Sequence, residues 1–164
     1  MLDTILSIIK ELNDAQLVFL PHDPNAHDPY AVVGEEHIGW SLAHLVAHVT
    51  ASSEEGAAHS SALARGIPLP TEPRLRYETP WKAITTRAEV LQRIEESRRI
   101  RLAFLDTWPD NPHLDVYRET SARFLERFGK MNAKMAFLFG LKHELGHHAQ
   151  IREVARQAQE LAQA

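Results

Sequence analysis

All nine prolines of this 164-residue chain fall in three clusters, at residues 21–29, 68–80 and 109–112. Proline lacks the backbone N–H and clashes with the preceding turn, so each cluster ends a helix. The proline-free stretches are residues 1–20, 30–67, 81–108 and 113–164. Each carries apolar residues at helical spacing, and none shows the sustained alternation of a half-buried strand. The expected fold is all-α: a four-helix bundle with long connections between helices, spanning residues 1–164 as a single domain. The 21–36 and 65–85 connections are long enough that at least one is expected to be a crossover and not a tight hairpin.

The first stretch places Ile5, Ile9, Leu12 and Phe19 on one stripe, and the second places Ile38, Leu42, Leu45 and Val49 on another. The third opens with Thr86-Arg87-Ala88-Glu89. This fits a capping box, in which hydroxyl and carboxylate each close the other's free N–H. Its stripe is Val90, Leu91, Ile94, Leu105 and Trp108. The fourth helix is expected from about residue 131 to about 159, with Gly140 and Gly146 its only breakers. Residues 131–141 are apolar nearly all round, which predicts burial on more than one side. The pattern leaves open whether residues 121–127 add a further helical turn.

Composition narrows the functional classes. Apolar residues make up 44% of the chain, enough for one sizeable core. A net charge of −4 lacks the basic footprint that nucleic-acid binding requires. No apolar run approaches the ~20 residues of a membrane span. Residues 1–12 carry Asp3, Lys10 and Glu11 inside their apolar pattern, unlike a secretory signal, so a cytoplasmic location is expected. Nucleic acid and membrane are therefore not expected partners, and the enzymatic readings given below call for a small-molecule substrate. The absence of cysteine excludes a disulfide scaffold, a cysteine zinc finger, an iron–sulfur site and a cysteine nucleophile.

Ten histidines stand against no cysteine, and five of them fall in two windows, His44/His48 and His143/His147/His148. His143 and His147 are four apart and share a helix face with Ala136, Gly140, Ile151 and Val154. Small residues above and apolar residues below mark an inward face with room in it. Two imidazoles at this spacing form a metal half-site, because both can converge on one ion at about 2.0–2.1 Å. The bland reading is two core histidines with ordinary hydrogen-bond acceptors. On the second helix the apolar stripe centres on Leu42, Leu45 and Val49. His48 lies about 100° from that centre and His44 about 40° further toward solvent. His48 is thus the better third ligand, and His44 is expected on the rim, either behind the ligands or at the surface. Trp40 begins the same helix and could wall the site. The other five, His22, His27, His37, His59 and His113, are expected in loops or at the surface.

His143-Glu144-Leu145-Gly146-His147 also matches the H-E-x-x-H signature of zinc proteases. A continuing helix would rotate Glu153 roughly 100° off the histidine face, and no edge strand for gripping a peptide is evident. The protease reading is therefore disfavoured, while Glu144 remains a candidate base or partner of a ligand. On the third helix Arg98 and Arg101 fall within the apolar stripe. There a guanidinium can salt-bridge, snorkel, or hold an anionic substrate group.

The chain resembles the DinB/YfiT-like superfamily of bacterial metal-binding four-helix bundles over most of its length. The resemblance rests on Gly39-Trp40-Ser41-Leu42 followed by His48-Val49, and on His143-Glu144-Leu145-Gly146-His147-His148-Ala149-Gln150-Ile151. The family often has arginine and glycine where this chain has His148 and Ala149. The resemblance implies that His48, His143 and His147 bind a divalent ion, most often nickel or zinc; imidazole would suit iron as well. It also implies a homodimer. Leu138, Leu141 and Leu145, opposite the histidines, offer a patch for another helix or a second subunit.

Relatives include thiol-dependent transferases, maleylpyruvate isomerases and metal hydrolases. Two enzymatic readings follow. In one, the ion holds the thiolate of a low-molecular-weight thiol, which must be borrowed because the chain has no cysteine; Arg98 or Arg101 would hold that thiol's carboxylate. In the other, a metal-bound water attacks while Glu144 or His44 moves protons. The alternative is a non-catalytic, metal-stabilised binding or stress-response module.

Overall fold

The computed structural model describes residues 1–29, 31–70 and 72–161, with Leu161 described by its backbone alone. Its helices are α1 (Leu2–Ile9), α2 (Asp14–Leu17), α3 (Leu42–Ala64), α4 (Arg87–Asp106), α5 (Ala122–Phe128), α6 (Ala133–Gly146) and α7 (His148–Leu161). A short 3-10 turn at Trp81–Ala83 precedes α4. Among the described residues extended pairing is confined to one bridge, Arg118 with Met131. The all-α helical bundle is as expected.

Side-chain caps decide where most of these helices begin. Asn13, Ser41, Thr86, Ser121 and Asn132 each accept a hydrogen bond from the backbone N–H three residues on. Such a cap contributes about 1 kcal/mol. The capping box expected at Thr86 and Glu89 forms in full. A second one, Asn13 with Gln16, starts α2 and so splits the first stretch into two short helices instead of one. Leu17, not Phe19, then completes the buried set with Ile5, Ile9 and Leu12. Ser121 settles the open stretch as helix α5.

The fourth helix is also divided. Gly146 weakens the helical turn, and the N–H of His147 bonds to the carbonyl of Glu144, three residues back. α6 ends there and α7 begins at His148. The expectation that residues 131–141 are buried on more than one side is not met. α6 buries only Ala133, Ala136, Gly140 and Glu144, along the row that faces α3. Leu138 and Leu145 remain 55% and 57% exposed, while Phe139 packs on Phe124 and Phe128 of α5.

Two apolar clusters hold the bundle. One joins α1, α2, the start of α3, the start of α4 and α7 through Ile5, Ile9, Leu17, Leu42, Leu45, Val49, Ile94 and Ile151. Each of these side chains is fully buried, which stabilises the fold by about 1.5–3 kcal/mol apiece. The other joins the end of α3 to α6 through Leu63, Ala64, Met131, Ala133 and Ala136. Along α3, α4 and α6 a buried polar layer falls between them: Ser53, Ser97, Arg101 and Glu144. Here α3 and α6 come close enough to require glycine. A Cβ on Gly56 would lie 2.9 Å from the Ala136 carbonyl oxygen, and one on Gly140 would lie 3.1 Å from the Cα of Ser53. Among the described residues no helix is long and apolar enough to cross a membrane.

Candidate metal centre

The site begins just ahead of α3. A Cβ on Gly39 would lie 2.3 Å from the Pro21 carbonyl oxygen, so only glycine lets the chain pass. Ser41 then caps the helix by accepting from His44 N–H. Trp40 therefore stands before the cap, outside the helix it was expected to begin. Its ring centroid lies 4.4 Å from that of His44, 4.5 Å from His48 and 6.1 Å from His147. It walls the site as expected.

His48 from α3, His143 from α6 and His147 from the α6–α7 break converge beside it. The Nε2 atoms of His48 and His143 are 2.9 Å apart. The centroid of His147 lies 5.1 Å from His48 and 4.8 Å from His143. One ring nitrogen from each of the three falls within 4.8 Å of the others, close enough to hold a metal ion. Tetrahedral ligands around an ion at about 2.0–2.1 Å stand about 3.3–3.4 Å apart. Small side-chain rotations would therefore bring the set onto one centre. The histidine face is less inward than expected. Residues 136, 140 and 144 form the buried row of α6, and His143 stands on the next row with an edge in solvent.

At His143 and His147 the electrostatics favour the neutral imidazole. Burial pushes His143 down to about 4, helped by His147, His48 and the guanidinium groups of Arg76 and Arg74. Burial also lowers His147, with Gln150 working against it. His147 Nδ1 donates to Gln150 Oε1 at 2.9 Å, which leaves Nε2 with a free lone pair. Such a hydrogen bond behind a ligand fixes its tautomer.

A cavity of about 870 Å³ opens over His48 and His143, lined by Trp40, His44, Arg74, Arg76, Glu78 and Trp81 among others. A smaller one of about 210 Å³ reaches His147 and Gln150. His44 lies in the wall of the larger cavity. It is sandwiched between Trp40 and Trp81, the second stack having a centroid spacing of 5.0 Å and an interplanar angle of 8°. Burial lowers it to about 4 although Glu78, 3.8 Å away, works to raise it.

The residues proposed for other roles lie elsewhere. Glu144 is fully buried and its Oε2 accepts from Arg101 Nη1 at 2.8 Å and from Ser53 Oγ at 3.1 Å. Its carboxylate joins α6 to α3 and α4. Arg101 is thereby occupied in the core, and Arg98 pairs with Asp3 at 2.6 Å and with Glu95 at 3.4 Å. Neither arginine lines the cavity. Glu153 pairs with Arg156 at 2.7 Å on the exposed side of α7. His148 is buried with Nε2 unpartnered. His22, His27, His37 and His113 are exposed as expected, but His59 is buried in α3.

The family model of the DinB superfamily matches residues 1–151. The chain belongs to the DinB superfamily. The match covers all three converging histidines and ends on Ile151, the last residue of the second motif. No curated protein and no solved structure matches the chain.

In this DinB chain the polar wall of the site comes from a segment that the helical pattern passed over. Arg74, Arg76 and Glu78 alternate with Leu75 and Tyr77 between two prolines. The segment forms no helical turn, and exposure alternates along residues 75–78. Here the usual polarity is inverted: Leu75 and Tyr77 face water, while Arg76 reaches His48 Nδ1 at 2.7 Å. Arg76 also pairs with Glu78, whose Oε2 is 3.5 Å from His48 Nδ1. Burial works to raise the Glu78 carboxyl, but hydrogen bonding to His48 and the charge of Arg76 outweigh it and hold it below the usual range. Charged residues at every second position between prolines were the available signal.

Proposed function

We propose that this protein is a metal-dependent enzyme of the thiol-dependent S-transferase or hydrolase type. In this reading it acts on a small molecule in the cytoplasm, as a homodimer. The observation that carries the reading is the convergence of His48, His143 and His147 within 4.8 Å beside a cavity of about 870 Å³. A divalent ion, nickel, zinc or iron, held by three neutral imidazoles would act as a Lewis acid that lowers the pKa of a water or of a borrowed thiol.

The chain's own residues supply the remainder. His147 is oriented by Gln150, and Glu78 stands behind His48 to accept its Nδ1 proton. The stacked Trp40, His44 and Trp81 form an aromatic wall that excludes water from one side of a bound substrate. Arg76 and Arg74 present positive charge to it. With Glu144 and Arg101 bound to each other in the core, His44 and Glu78 are the titratable groups nearest the histidines for proton movement.

The test is elemental analysis of tag-free protein, followed by assay against thiol–electrophile pairs and an ester panel. About one equivalent of metal, lost together with turnover in His48→Ala and His143→Ala while the fold persists, is the expected result. Turnover by metal-free protein would refute the reading. A large drop in melting temperature on chelation, without turnover on any substrate, would instead assign the ion to pinning α3 against α6 in a binding module.

A further inference from the structure

A second cavity, of about 320 Å³, lies against the first and shares Arg74, Arg76 and His143 with it. Its other walls include Glu55, His59 and Arg118. Three guanidinium groups thus meet one carboxylate. Glu55 is already engaged by Arg74, which bonds it through Nε at 3.1 Å and through Nη2. Arg76 is engaged by Glu78 across the shared wall. The remaining positive charge is Arg118.

Arg118 is held in place by its backbone, whose N–H donates to the Met131 carbonyl at 2.9 Å. Its guanidinium makes no ion pair or hydrogen bond among the described residues, and its Nε is buried without a partner. His59 is 1% exposed, and neither of its ring nitrogens has a partner. Buried polar groups are almost always hydrogen-bonded in native proteins, so two such residues in one cavity wall point to a ligand. Burial, with Arg74 beside it, holds Arg118 below the usual arginine value, Glu55 working the other way. An anion there would restore what burial removes. Burial, with Arg118 and Arg74 nearby, likewise pushes His59 down to about 4 despite Glu55, leaving a neutral ring with one N–H to donate.

The geometry points to the second cavity as an oxyanion subsite: Arg118 and His59 hold a carboxylate or phosphate group of the substrate, and the shared wall leads the rest of that molecule to the three histidines. Arginine's planar fork suits both groups. The term substrate rests on the function proposed above; the anion site itself does not.

The full-length protein, stripped of metal by chelator, is titrated at low ionic strength with inorganic phosphate and, separately, with succinate. Binding is followed through the His59 ring resonances. Saturable shifts at His59 with either anion are expected, and the anion that binds identifies the oxyanion class. Arg118→Gln should weaken that binding by about tenfold or more, a charge-assisted hydrogen bond being lost. Arg98→Gln, which alters a surface pair, should leave it unchanged. No saturable shift at His59 with either anion overturns the proposal, as does wild-type affinity in Arg118→Gln. Metal content of the reconstituted proteins is measured in parallel. Anion binding by a protein that takes up no metal would leave the subsite standing and remove only the reading of the histidines as a metal centre. Metal uptake without anion binding would do the reverse.

Discussion

Arg76 Nη2 lies 2.7 Å from His48 Nδ1. The contact of the same nitrogen with Glu78 Oε2 at 3.5 Å needs an Nδ1–H, whereas a guanidinium can only donate, so the contact with Arg76 needs Nδ1 to accept, with the proton of a neutral His48 on Nε2 facing His143 Nε2. An ion on His48 Nε2 needs the opposite tautomer, with Nδ1–H facing Glu78. Arg76 and a metal therefore compete for the protonation state of one ring. Glu78→Gln should weaken metal binding about tenfold, as loss of a carboxylate behind a histidine ligand commonly does. Arg76→Gln should tighten it. Competition against a chromophoric chelator measures both, and equal affinities across the set would remove Glu78 and Arg76 from the account.

Glu144 predicts a separation of stability from metal binding. Breaking its buried pair with Arg101 leaves an unpaired charge in the core. Glu144→Ala should cost about 3–5 kcal/mol in urea unfolding. Metal stoichiometry at low temperature should be unchanged. A variant that keeps its stability but loses metal would place Glu144 at the site after all.

Alanine normally improves on glycine inside a helix by about 1 kcal/mol. At Gly56 the sign should reverse, because the new methyl would meet the Ala136 carbonyl oxygen at 2.9 Å. Gly56→Ala is expected to destabilise by about 1–3 kcal/mol, the usual range for an overfilled contact. An unfolding curve shifted to higher denaturant would mean that α3 and α6 are free to separate there.

His59 sets a pH dependence. Its pKa falls from 6.5 to about 4 on folding, so the folded chain binds the proton more weakly than the unfolded chain. The associated stability is complete above pH 6.5 and is lost as pH falls toward 4, levelling below that. His44 and His143 act in the same window and with the same sign. Unfolding midpoints of metal-free protein should decline over this range. His59→Leu removes two unpartnered nitrogens, so it should change little at pH 7 and make the decline shallower. A decline identical to wild type would show that His59 titrates freely.

The proposed homodimer is tested through α6. Leu138 and Leu145 are more than half exposed in the single chain. Leu138→Glu with Leu145→Glu should turn a dimer into a folded monomer in sedimentation velocity. A wild-type monomer at micromolar concentration would reject the assembly.

Legibility in the sequence followed the length scale of the signal. Proline positions and apolar spacing marked α3 and α4, and the histidine spacings identified the three residues that converge. What failed depended on single polar atoms. The amide of Asn13 divided the first helix, and the weak turn at Gly146 divided the last. A one-position shift of the buried row put Glu144 inside where a histidine was expected. Arg76 and Glu78 were missed because a segment without a helical turn has no helical period, and its charges face inward. His59 was missed because a histidine among small residues reads as a surface residue until its helix is packed on both sides.

The connection before α4 brings Arg74, Arg76, Glu78 and Trp81 to the cavity on one continuous stretch, whereas His48, His143 and His147 stand on or beside the helices of the bundle. The three converging histidines and the polar wall are therefore encoded in different stretches of the chain, in contact where Arg76 and Glu78 meet His48. An exchange of residues 74–81 that keeps Arg76 and Glu78 would change the wall of the cavity while leaving the partners of His48 Nδ1 in place. That makes the segment a natural target for transplantation between homologous scaffolds.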